Sequence, residues 1–205
     1  IHVSALALEK AKNSKYAQSK INGEIKIKKN FDRATIIKPS IVFSVDDKLS
    51  TKFMSLLSLL PIFPLYYNGE TKFTPIHAAD VAELIFHIIS KEIISKDIEA
   101  IGPEILTFKE IIQILSKCIK KKRLLIPMPL FLAKISSIFF QLFPNPLLTL
   151  DQLRLLKYDN IKSKNGITNF DIGCPSKLYF EESVLKYSFN YAEGGQFSIK
   201  KNEKK

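Results

Sequence analysis

The stretch that most narrows what this chain can fold into is residues 34–43, ATIIKPSIVF. It is β-branched and apolar at nearly every position, so as a strand it is buried on both faces, as strands are inside a parallel sheet. A helical stretch from Ser14 to Lys29 precedes it, and Ile1 to Leu8 before that reads as a short buried strand carrying Ser4. Strand, helix, strand is a βαβ unit, and an α/β fold is the class it predicts.

Downstream signals fill in the rest. Ser50 to Leu60 is an apolar helix stopped by Pro61 and Pro64, and Thr71 to His77 is extended. Asp80 and Glu83 read as the start of a helix reaching Ser90, with Asp80 as its cap. Ile98 to Ile101 is a further strand, closed by Gly102-Pro103. Thr107 and Glu110 form a capping box ahead of Phe108, Ile111, Ile112, Leu115 and Ile119 at helical spacing. Leu130 to Leu142 is an apolar helix between proline pairs, Thr149 and Gln152 open a short one, and Glu181 to Tyr187 forms the last. The predicted division is a sheet domain over 1–102, with the 50–60 helix inserted, and a helical lobe over 103–192. A disordered basic tail over 193–205 follows. Opening on Ile1 inside a strand leads to the expectation that the chain is the later part of a longer protein.

The formal charge is +11, from 31 Lys and Arg against 20 Asp and Glu. The basic residues are mostly scattered lysines, and the dense runs at 26–29, 120–123 and 200–205 are not interleaved with aromatics that could stack bases. Nucleic acid is therefore not an expected partner. Cys118 and Cys174 are too few for a disulfide framework or a zinc site, and His77 and His87 have no partners at metal-ligand spacing, so no metal is expected. The most apolar region, 124–148, is broken by four prolines and Lys134 and does not read as a membrane span.

The constellation that could carry chemistry is Tyr16-Ala17-Gln18-Ser19-Lys20. An i, i+4 spacing puts phenol and ammonium on one helix face. A free tyrosine titrates near 10, and a cation held beside it favours the phenolate and brings it toward neutrality. The lysine can also donate to ribose hydroxyls, and Ser4, presented from a neighbouring strand end, can polarise a carbonyl. Tyr158 and Lys162 repeat the spacing but follow a helix with no sheet context. The context of Tyr16 also includes Lys38-Pro39-Ser40, where a proline interrupts a buried strand: either a bulge or edge position, or a strand end where main-chain groups meet a ligand.

The segments HVSAL, SKYAQSKINGE, ATIIKPSIVF, KFTPIHAADVAE and IGPEILTFKEII, in that order, resemble the extended and atypical short-chain dehydrogenases, the NAD-dependent epimerase/dehydratase superfamily. The subgroup most like it comprises the NAD(P)-binding accessory subunits associated with respiratory complex I. The short loop between Ser4 and Tyr16, LLIPMPLFLAKISSIFF and LLTLDQLRLLKYDN carry that likeness. The resemblance covers most of residues 1–186. It implies the C-terminal half of a Rossmann-like parallel sheet with a small, mostly helical C-terminal lobe. It also implies that Ser4, Tyr16 and Lys20 occupy the catalytic positions and contact the cofactor, with Pro39, Ser40 and Ile41 beside the nicotinamide. Lys38 stands where the family has Arg, and Ser44 where it has Gly. The implied cofactor is NADP or NAD, although no G-x-x-G-x-x-G loop occurs among the seven glycines.

Three functions follow from the resemblance and the composition. One is an accessory or assembly component of respiratory NADH:ubiquinone oxidoreductase, with complex I subunits or a membrane surface as partner. It would sit on the cytoplasmic side of a bacterial inner membrane or the matrix side of a mitochondrial one. Another is a free-standing oxidoreductase or epimerase acting on a nucleotide sugar or other small carbonyl substrate. The third is a membrane-surface protein that does not use a cofactor.

Overall fold

A computed structural model of the chain describes residues 1–140 and 149–195, with the backbone alone for 136–140. The first strand, β1 (His2–Val3), is shorter than the apolar run suggests, because the chain turns at Leu6–Ala7 into a 3₁₀ turn over Leu8–Ala11. Helix α1 (Lys15–Asn30) follows, with Ser14 as its cap: the Ser14 hydroxyl accepts from the Ala17 amide at 3.2 Å.

The 34–43 run forms two strands, β2 (Ile36–Pro39) and β3 (Val42–Phe43). Pro39 is the last residue of β2. Its carbonyl still accepts from the Leu6 amide at 2.8 Å, and the chain then leaves the sheet, so a missing N–H at this point costs the ladder little. Pro39 is thus neither at a bulge nor on an edge strand, since β2 lies between β1 and β7.

Helix α2 (Ser50–Leu59), β4 (Ile62–Leu65), β5 (Lys72–Phe73) and β6 (Ile76–His77) carry the chain to α3 (Ala78–Ser90) and β7 (Asp97–Ala100). Gly102 ends that strand where Pro75 crosses it, and a Cβ there would stand 1.6 Å from the Pro75 carbonyl oxygen. Beyond lie β8 (Leu106–Thr107), α4 (Phe108–Cys118), β9 (Leu124–Pro127) and α5 (Leu130–Phe140). Then come α6 (Leu150–Leu155), β10 (Ile167–Thr168) and α7 (Phe180–Leu185). The end of the expected 130–142 helix, and the expected tail from residue 196 on, lie outside the described residues.

The main sheet is parallel throughout, in the order β1-β2-β7-β10. That is the α/β sheet expected, with α1 and α3 in the crossovers. Within residues 103–192, β10 returns to pair with β7 at the sheet edge, while β8 and β9 pair with β5 and β4 in two-stranded ribbons. Ile37, Ile76, Leu84, Ile88 and Ile98 close the sheet against α3. A larger core joins α2, α4 and α7 through Met54, Leu57, Ile112, Leu115 and Phe180, with Phe43 of β3 edge-on to Phe180 at 4.9 Å. Burying a phenylalanine completely contributes roughly 1.5–3 kcal/mol, so the Phe43–Phe180 contact fastens the sheet side to the helical side.

Candidate functional site

The sheet's C-terminal edge collects the predicted residues. Ser4 follows β1 directly, Tyr16 and Lys20 stand on the first turns of α1, and Ser40 and Ile41 follow β2. They do not make the reactive triad that the spacing suggests. The Ser4 hydroxyl, buried, donates to Glu24 of α1. The Lys20 ammonium donates to the Val3 carbonyl at 3.2 Å. Tyr16 is 46% exposed, and its phenol is pushed up by burial, opposite to the direction a cation held beside it would give.

Glu24 belongs to a charged chain that runs along the sheet. Its second oxygen pairs with Lys38 at 3.2 Å, Lys38 with Asp97 at 2.9 Å, and Asp97 with Lys28 at 2.7 Å. Burial works against the Lys38 ammonium, but Asp97 and Glu24 outweigh it and hold its pKa above the ordinary value. Burial likewise works to raise Asp97, and the two lysines outweigh it and hold the carboxyl low. Lys38 therefore does what a cation at that position can do without an arginine fork: it bridges two carboxylates as a point charge.

Ser40, buried, donates from its hydroxyl to Asn160 Oδ1 at 2.6 Å and accepts from the Thr74 amide at 3.2 Å. Asn160 also donates from Nδ2 to the Leu6 carbonyl at 2.8 Å. One side chain thus ties the ends of β1 and β2 to the chain that leaves α6. Ile41 turns into the large core, and its carbonyl accepts from the Ile76 amide at 3.0 Å. A second tie comes from Asp151 of α6. Its carboxylate accepts from the Lys15 and Tyr16 amides at 2.8 and 3.1 Å and from the Ser14 hydroxyl at 2.9 Å. An anion at the start of α1 meets both the free amides and the helix dipole there. Burial works to raise Asp151, but these donors outweigh it and hold the carboxyl low.

Neither Asp151 nor Asn160 is identified by sequence reasoning as a site residue, although both lie in the LLTLDQLRLLKYDN stretch. The Asp80 expectation is corrected. His77 caps α3, its Nδ1 accepting from the Ala79 amide at 3.1 Å, while buried Asp80 accepts from the Lys177 and Leu178 amides at 3.3 and 3.1 Å. His87 Nε2 lies 3.0 Å from the Ile172 carbonyl. Tyr158 lies outside the helix, with Lys162 paired to Asp171 at 3.7 Å, so the second Y-x-x-x-K does not share a helix face. Burial pushes the Cys118 thiol up to about 11. Among the described residues no three His, Cys, Asp or Glu gather as a metal-ligand set, and no helix is long and apolar enough to cross a membrane.

The ends of β1 and β2 are the usual place for ligands in open α/β sheets, and what this edge can offer one there is a phenol and an ammonium. Lys20 and Tyr16 are the residues there with side chains directed at solvent-accessible space, Tyr16 by its exposure and Lys20 by its exposed bond to Val3.

No family model matches the chain. It is 24% identical over 207 residues to the NADH dehydrogenase [ubiquinone] 1 alpha subcomplex subunit 9 of Arabidopsis thaliana mitochondria, covering 95% of this chain and 51% of that protein. With the Dictyostelium discoideum protein of the same name it shares 28% identity over 202 residues, covering 97% of this chain and 56% of that one. The chain spans about half the length of the curated relatives it matches. Among solved structures, a dTDP-glucose 4,6-dehydratase from Bacillus anthracis in complex with NAD superposes with a TM-score of 0.58 at 14% identity, over 93% of this chain and 53% of that one. The chain is thus similar in sequence, along nearly its whole length, to these alpha subcomplex subunit 9 proteins of NADH dehydrogenase, and it shares the fold of that dTDP-glucose 4,6-dehydratase.

Proposed function

We propose that the protein is an NAD(P)-binding, short-chain-dehydrogenase-like component associated with respiratory NADH:ubiquinone oxidoreductase, in an accessory or assembly role. The observation that carries this reading is the match along nearly the whole chain to relatives named as subunits of that enzyme. The sheet edge supports a nucleotide-contacting part: Lys20 and Tyr16 would meet the ribose and nicotinamide, with the Pro39-Ser40-Ile41 strand end beside them. NADP or NAD would supply a redox-active ring there. The chain itself holds no glycine-rich phosphate loop. The present geometry favours holding a nucleotide over moving a proton, since Ser4 donates to Glu24 and burial raises Tyr16.

A second reading is kept open by the Tyr16/Lys20 spacing on a fold shared with epimerases and dehydratases. In a free-standing oxidoreductase or epimerase, Ser4, Tyr16 and Lys20 would be the catalytic residues. The test uses the full-length protein, tagged, in solubilised membranes run on a native gel. Co-migration of the tag with NADH dehydrogenase activity is expected. Migration as a small soluble species overturns the accessory reading in favour of the enzyme.

A further inference from the structure

The cleft between α6, the Lys10–Asn13 loop and the start of α5 encloses about 650 Å³. Five cations line it: Lys10, Lys12, Lys134, Arg154 and Lys157. Among the described residues no carboxylate does. Asp151 pairs with Arg154 at 3.8 Å but is also held by Ser14 and the amides of α1. Like charges gathered around one cavity raise its potential and draw an anion. The rest of the wall is apolar, with Leu130, Leu150 and Leu153 beside Tyr67 and Tyr158. A ligand that fits has an anionic head and a hydrocarbon body.

A second observation points the same way. Helix α5 is apolar at every position but Lys134, Ser136 and Ser137, a composition that belongs largely in a core. Yet of its described side chains only Ala133 is buried, while Phe131 and Ile135 are 63% and 62% exposed and Leu130 and Leu132 are exposed as well. Leu130 and Lys134 belong both to this helix and to the cleft. The ribbon leading into α5 has the same character: Ile62 and Leu124, paired across β4–β9, are both exposed, and the basic run 120–123 immediately precedes β9. Apolar side chains standing out beside lysines are how a protein lies on an anionic bilayer, the chains entering the acyl boundary and the cations meeting headgroups.

We propose that this cleft is a binding site for an anionic phospholipid of a membrane surface. The phosphate is held by Lys10, Lys12, Arg154 and Lys157, and the acyl part lies along Leu130, Leu150 and the exposed side of α5. The occupant is a lipid rather than a soluble phosphate because the exposed helix beside the cleft needs cover that a free anion does not give. The site is independent of the function proposed above, since a free-standing enzyme could carry it equally.

The test floats the purified full-length protein with vesicles of phosphatidylcholine, alone or doped with phosphatidylglycerol. Capture by the doped vesicles alone is expected. It should fall on the order of tenfold in Lys10→Glu/Lys157→Glu, since each basic residue near the surface contributes to attraction. The control pair Lys26→Glu/Lys29→Glu makes the same change of charge on exposed positions of α1 and should leave capture unchanged. Leu130→Ser/Phe131→Ser should also lower capture, and all these positions are exposed, so urea midpoints confirm that each variant folds. Equal loss with both charge pairs, or equal capture by undoped vesicles, overturns the site. So does competition by inorganic phosphate combined with full capture of the Leu130/Phe131 variant, which assigns the cleft to a soluble anion.

Discussion

The sheet edge around Ser4 and the cleft beside α5 are both polar, basic and close to the start of α1, yet they treat charge in opposite ways. At the edge Lys28 and Lys38 pair with carboxylates, Lys38 with two of them, Lys20 donates to a backbone carbonyl, and the hydroxyls of Ser4, Ser14 and Ser40 are all engaged by protein groups. In the cleft five cations stand around apolar walls with no acid among the described lining residues. Internal pairing stiffens a region and fixes where its side chains point. Like charges gathered next to exposed hydrocarbon add little to stability and suit a surface that meets something outside the chain. One molecule thus holds one site built from within and one that needs an external partner.

Variants that break this contrast should differ in size. Asn160→Ala should cost most, about 2–3 kcal/mol, because it takes the donor from the Leu6 carbonyl and leaves the buried Ser40 hydroxyl only the Asn160 main-chain carbonyl, at 3.0 Å, as acceptor. Urea unfolding reads it, and a loss under about 0.5 kcal/mol would mean the edge is not held from α6. Lys38→Met should cost about 2 kcal/mol, less than breaking a fully buried pair, since Asp97 keeps Lys28 while Glu24 keeps only Ser4. A neutral or stabilising result would show that Glu24 is relieved by water rather than by this lysine.

Asp151→Asn should cost about 1 kcal/mol at neutral pH, the value of a helix cap, and its pH profile carries the sharper information. The folded carboxyl is held below its unfolded value of about 3.9. Its contribution is therefore complete above that value and is lost as pH falls through the folded pKa. Wild type should lose this increment below about pH 4, and Asp151→Asn should lack that part of the acid loss. Parallel profiles would show that the carboxylate does not cap α1. Smallest of all, Lys12→Gln with Lys157→Gln in the cleft should change stability by less than about 0.5 kcal/mol, and any change should be a gain from relieved repulsion. A clear loss there would make the cleft a structural network like the edge.

The features legible in sequence are those whose chemistry is local. The Thr107/Glu110 capping box is present with both of its bonds, at 3.2 and 2.7 Å, and Thr149/Gln152 forms another. The apolar run at 34–43 gave the parallel sheet because burial on both faces leaves its mark on every residue. Asp80 misleads because an acid at the start of a helix reads as a cap, and nothing nearby reveals that its partners are amides almost a hundred residues away. Asp151 and Asn160 were hidden for the same reason, and β10 is two residues long, too short for a period to show. The Tyr16/Lys20 spacing was legible, but the direction in which Lys20 points was not: a backbone carbonyl at the end of β1 competes for its ammonium, and tertiary structure decides the outcome.

The proposal that the sheet edge holds a nucleotide, with no proton chemistry run through Tyr16, has a direct test: the nicotinamide nucleotide released per molecule on denaturing the full-length protein, compared for wild type, Tyr16→Phe and Lys20→Met. Nucleotide in near-stoichiometric amount is expected in wild type, with little change in Tyr16→Phe and a loss on the order of tenfold in Lys20→Met, which removes a charged donor from this edge. Absence of nucleotide from the wild-type protein, or equal retention in Lys20→Met, would contradict it.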